Sequence, residues 1–165
     1  MKSLFVVVFS IVVTLAPGLA RAITADVANV VVYGGTSAGI VAAIEAKRCG
    51  KSVVLIEPSA HLGGLTTGGL GATDIGNKQV IGGIARDFYR RIRTHYQDEA
   101  SWIREERDAH KKRNPRYNPD DDTMWTFEPR VAEQVFHEML REAKVPVHLG
   151  QRLEFVRKEH GRVTE

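Results

Sequence analysis

Three glycines and two hydroxyl side chains fall within six residues, Gly34-Gly35-Thr36-Ser37-Ala38-Gly39. Backbone amides unscreened by side chains can surround an anion, and Thr36 and Ser37 add hydroxyl donors. In a dinucleotide-binding turn, G-x-G-x-x-G, the first glycine turns the chain sharply and the second admits pyrophosphate against the backbone. The third lets helix and strand pack closely. Gly34 and Gly39 hold the first and third places, while Thr36 holds the second, with Gly35 just before it. A Cβ at position 36 obstructs the closest approach of a diphosphate, yet the threonine hydroxyl can itself donate to a phosphate oxygen. Glu57, 18 residues beyond Gly39, suits the hydroxyls of an adenosine ribose; taken alone it is equally a solvated acid at a strand end.

The flanking pattern supplies what such a turn needs. Residues 29–33, NVVVY, are a β-branched run of the kind buried on both faces of a parallel sheet. Residues 38–50 carry apolar positions at helical spacing and end at Gly50, a favourable glycine just past a helix end. Residues 52–57, SVVLIE, form a second buried strand closed by Pro58. Strand, tight turn, helix and strand make a βαβ unit, so the fold class is α/β with a Rossmann-like parallel sheet. Residues 61–83 are too rich in glycine for a helix or strand interior and read as a long ordered loop. A helix follows with Ile84, Phe88 and Ile92 on one stripe. The charged, proline-bearing stretch from Gln97 to Asp122 reads as an exposed excursion, extending to about residue 128. Residues 127–145 form an amphipathic helix with Pro129 near its first turn, residues 145–149 a short strand. Residues 152–165 read as one strand, a turn at His160-Gly161 and the start of a hairpin partner.

Other chemistry is weakly signalled. His61, His95, His110, His137, His148 and His160 are scattered without metal-ligand spacing, and no G-x-S-x-G elbow is present. His61 is the one histidine beside the expected cofactor turn, and His137 reads as a boundary residue of its helix. Cys49, the single cysteine, excludes an internal disulfide and reads as a buried, inert thiol. Lys2, the apolar run 4–16 and Ala20-Arg21-Ala22 compose a secretory signal over residues 1–22, cleaved after Ala22. The run falls short of the roughly 20 residues a spanning helix needs, so no stable membrane anchor is expected after cleavage. Loss of Lys2 and Arg21 takes the formal charge from +3 to +1, and the basic balance is then no argument for a nucleic-acid partner.

The βαβ fingerprint does not separate FAD from NAD, because both carry ADP-ribose. His61-Leu62-Gly63-Gly64, four residues past Glu57, is the discriminating feature. Residues 30–92 together with 128–156 resemble the exported bacterial FAD-dependent oxidoreductases, flavoproteins of the two-dinucleotide-binding-domain type. In that family the middle fingerprint position is often not glycine. The resemblance implies that Gly34, Gly35, Thr36, Ser37, Ala38 and Gly39 cradle the FAD diphosphate, and that Glu57 and the adjoining Pro58 meet the adenosine ribose. It further implies that Gly63, Gly64, Leu65 and Thr66 line the path to the ribityl chain and that residues 67–74 approach the isoalloxazine. Arg152 or Leu153 would meet adenine through backbone groups. Asp74 is a flavin or substrate contact, or simply a turn-forming aspartate. The family normally continues further, so residues 23–165 are expected to be the N-terminal part of an FAD domain, incomplete at the C-terminus. The implied activity is electron or hydride transfer between flavin and a small organic substrate. The alternatives are a non-catalytic or split module completed by a companion chain, and an NAD-dependent dehydrogenase, which the second glycine motif disfavours.

Overall fold

The computed structural model describes residues 27–72, 76–114 and 117–164. Strands β1 (Val30–Tyr33), β2 (Val53–Glu57) and β3 (Val147–Leu149) form one parallel sheet in the order β1-β2-β3. The register sets Val32 beside Leu55 and Leu55 beside Val147. All three strands therefore end on the same edge, where Gly34, Pro58 and Gly150 follow them.

Helix α1 (Ser37–Arg48) connects β1 to β2. Its start is fixed by Thr36, whose Oγ1 accepts from Gly39 N at 3.2 Å, the side-chain cap that orphan first-turn donors call for. Its end is fixed by Gly50 at φ +74°, a conformation glycine adopts without strain. Helix α1 buries Ile40, Ala43 and Ile44 against the helix-facing side of the sheet, to which Val53 and Leu55 contribute. Helices α2 (Gly83–His95) and α4 (Pro129–Glu142) complete that layer. The stripe Ile84, Phe88 and Ile92 meets Val131, Ala132, Val135, Phe136, Met139 and Leu140 in one core. Phe88 and Phe136 stack at 4.4 Å between centroids, a contact worth about 0.5–1.5 kcal/mol beyond the area it buries.

Four expectations change. Strand β1 is covered on one face only: Val31 and Tyr33, on the face away from the helices, are 52% and 45% exposed. Cys49 caps α1 instead of lying within it, and its thiol is exposed, because the apolar stripe of the helix ends before it. The excursion is folded and its last residues belong to the core. Helix α3 (Arg107–Arg113) buries His110, and Met124 and Phe127 join the main cluster, the Phe127 ring packing against Phe88 and Tyr89 in preference to solvent. The terminal hairpin turns at His160-Gly161 as expected, between β4 (Lys158–Glu159) and β5 (Arg162–Val163), but residues 152–157 are not a strand. The signal segment 1–22 and Asp74 lie outside the described residues. Among the described residues no helix is long and apolar enough to cross a membrane.

Candidate functional site

The C-terminal edge of a parallel sheet, where βα turns meet helix N-termini, is where open α/β folds bind ligands. Two glycine turns come together on that edge. Gly34 stands at φ +106° with open space around it, so its requirement is conformational. Gly39 has a steric requirement instead: a Cβ there would overlap the carbonyl oxygen of Gly34. These are the first and third roles of the fingerprint. Gly35 is packed under the second turn, where a Cβ would collide with Leu62 Cδ2 and stand 3.2 Å from the Glu57 carboxylate.

Thr36 is the most informative position. Its oxygen caps α1, which a glycine at that place could not do, and its hydroxyl proton remains available to a ligand. The cap takes Gly39 N, and Thr36 O takes Ile40 N at 2.9 Å. Neither reaches the first-turn amides of Ser37 and Ala38, which lie at the positive end of the helix dipole.

The second turn is bonded to the first. Gly63 N donates to Gly35 O at 2.7 Å, and Gly64 lies close enough that a Cβ would stand 3.3 Å from Thr36 Cγ2. Gly63 and Gly64 both take positive φ, at +101° and +56°, and open a short 3-10 turn, Gly64–Thr66. Leu65 on that turn is 89% exposed. Glu57 lies buried beneath both turns. Its Oε2 accepts from Gly35 N at 2.6 Å, and its Oε1 accepts from Ser59 N and Ser59 Oγ at 2.8 and 2.6 Å. The Ser59 bonds, with that from Gly35, hold the carboxyl below its ordinary value against the opposing effect of burial. Glu57 thus ties the first turn to the end of β2 while keeping lone pairs for a further donor.

Glu133 and Ser59, which no motif indicated, complete the arrangement with His61 and Thr67. Glu133 of α4 accepts from Leu62 N at 3.0 Å and pairs with His61 Nδ1 at 2.8 Å. His61 Nε2 meets Thr67 Oγ1 at 2.7 Å, and that buried hydroxyl donates to Leu62 O. Thr67 therefore faces inward and braces the turn. Ser59 carried no signal in the sequence, where it is one more short polar residue near Glu57. Glu133 had no local signal, because its partner Leu62 is distant in sequence.

The remaining candidates are more peripheral. Pro58 follows Glu57 without joining this network. Arg152 is exposed, and Leu153 N donates to Tyr33 Oη at 3.1 Å. Residues 150–153 pass across the ends of the strands, held by Gly150 N to Ser59 O at 2.9 Å and Gln151 N to Glu57 O at 3.1 Å. No group of three or more metal-ligating side chains is gathered among the described residues. The amides, hydroxyls and helix dipole can hold a diphosphate, and the glycines leave room for one to lie against the backbone. The residues present fit a dinucleotide.

The sequence profile of the FAD dependent oxidoreductase family matches residues 29–165. No curated protein matches the chain. Solved structures do. L-amino acid deaminase from Proteus vulgaris, with its specific insertion deleted, aligns over 82% of this chain and 48% of its own, at 17% identity and a TM-score of 0.48. THI4 from Thermovibrio ammonificans aligns over 82% of this chain and 44% of its own, at 14% identity and a TM-score of 0.44. A flavocytochrome c3 fumarate reductase in its open conformation covers 74% of this chain and 26% of its own, at 20% identity and a TM-score of 0.39. The chain spans less than half the length of each of these structures.

Proposed function

The chain belongs to the FAD dependent oxidoreductase family, and from that premise we propose that residues 34–39 and 63–66 jointly cradle the FAD diphosphate. The observation that carries this reading is the direct bond between the two glycine turns, Gly63 N to Gly35 O at 2.7 Å, with Glu57 anchored beneath them. Ser37 and Ala38 amides and the Thr36 hydroxyl meet the phosphate oxygens. Glu57 receives a ribose hydroxyl on Oε2, and the 150–153 segment borders the adenine. The family's cofactor supplies two-electron redox chemistry when bound. The chain's own residues bind and orient it, and the Glu133–His61–Thr67 contacts keep the second turn in register with the first.

The activity proposed is electron or hydride transfer with a small organic substrate, in a flavoprotein of the two-dinucleotide-binding-domain type. Residues 1–22 are proposed to direct export, with cleavage after Ala22. The exposed face of β1, with Val31 and Tyr33, favours a further segment against this strand, from the same polypeptide or a companion chain. The test is reconstitution of the chain with FAD, followed by absorbance at about 370 and 450 nm. Stoichiometric yellow protein whose colour bleaches with an organic reductant is the expected result. Retention of NAD with no retention of FAD refutes the reading.

A further inference from the structure

Beyond the glycine turns, the same loop turns away to form one wall of a cavity of about 670 Å³, a volume suited to a small organic ligand. The wall is Gly69 to Ala72, fastened to the segment before α4 by Phe127 N to Gly71 O at 2.8 Å and by a bridge between Ala72 and Thr126. The facing wall is the folded excursion, Ser101 to Glu105 and α3. Its apolar surface comes from Trp102, Ile103 and Leu70, the last two 73% and 83% exposed.

Charge around the cavity is uneven. Arg113 and Glu105 neutralise one another, with bonds of 2.7 and 3.0 Å, and His110 Nδ1 stands 3.0 Å from the same carboxylate. Glu128 is shared by two guanidinium groups. Its Oε2 takes Arg130 at 2.9 Å and Tyr96 Oη at 3.2 Å, while Arg104 Nε stands 3.5 Å from Oε1. Two cations on one carboxylate leave one positive charge in excess. It resides on Arg104, whose side chain is 79% exposed and makes no hydrogen bond to the protein among the described residues. A guanidinium in loose ion-pair contact through its Nε and unbonded at its fork suits a carboxylate.

We propose that this cavity binds an organic acid, its apolar body against Leu70, Trp102 and Ile103 and its carboxylate on Arg104. The binding claim stands on the cavity itself; the ligand's standing as substrate rests on the flavin reading above, because one loop serves both places. The test is calorimetric titration of the full chain with 1-naphthylacetate and with its neutral counterpart 1-naphthylacetamide, before and after FAD loading. The acid is expected to bind at least about tenfold tighter than the amide. Arg104→Gln, an exposed replacement, is expected to bring the acid down to the amide's affinity and leave the amide unchanged. Leu70→Asp, also exposed, is expected to weaken both. Equal affinities for acid and amide, absence of binding by either, or an acid preference that survives Arg104→Gln overturns the proposal. An acid preference in a chain that retains no FAD supports the cavity and removes the flavin reading. FAD retention with equal acid and amide affinities does the reverse.

Discussion

Replacing Gly39 by alanine places a Cβ that overlaps the carbonyl oxygen of Gly34 and stands 3.3 Å from its carbon and 3.4 Å from Val32 Cγ1. The obstructing group is backbone, so the β1–α1 turn itself must open. Overpacking of this kind costs about 1–3 kcal/mol. The turn that opens is the one assigned to the diphosphate, so a loss of that size in binding weakens FAD about 5- to 150-fold. Gly50→Ala is the matched control: φ is +74° and nothing lies within 4 Å of the added Cβ, so it brings backbone strain without a clash. That strain is about 1–2 kcal/mol and falls at the opposite end of α1. Both variants should melt at lower temperature than the wild type. Fluorescence anisotropy of FAD titrated with protein should separate them, with affinity falling for Gly39→Ala and holding for Gly50→Ala. Wild-type affinity in Gly39→Ala, or equal losses in both, refutes the packing argument.

Thr36→Ala removes the α1 cap and should cost about 1 kcal/mol in chemical denaturation, with Thr36→Ser restoring most of it. Glu57→Gln puts an amide where the carboxylate accepts from Gly35 and Ser59, and should lower both FAD affinity and thermal stability. The Glu57 carboxyl is held below its ordinary 4.5, so its contribution is present above that pH and lost as pH falls through the lower folded value. A melting temperature followed from pH 6 to pH 3 should therefore show an acid-side decline that is smaller in Glu57→Gln; an identical decline would contradict the assignment. Glu133→Gln weakens the tie between α4 and the second turn, and should raise amide exchange at Leu62 and Gly63 without changing exchange in β1.

The local grammar of the first fifty described residues was legible because it is local. The Val-rich strands, the glycine at each turn and the helix stop at Gly50 each act on their immediate neighbours, and the structure places them where the pattern did. Thr36 was read as a hydroxyl donor to phosphate, and its capping bond to Gly39 emerged only from geometry. Contacts across long sequence separation were not legible. Nothing around Glu133 marks it as the partner of Leu62 and His61, since its helix face is set by the packing of α4 against α2 and the sheet. The excursion misled for a related reason. Its charges pair with one another, as Arg113 does with Glu105, and that pairing lets Trp102, His110 and Met124 turn inward from a segment whose composition reads as solvated.

Two glycine turns, hydrogen-bonded to each other above Glu57, are proposed to hold one FAD diphosphate. Amide hydrogen exchange of the full chain with and without FAD is the test. New protection is expected to concentrate at residues 34–39 and 62–66, with β3 and α2 unchanged. Protection confined to other segments, with both turns exchanging as they do without FAD, would contradict the proposal.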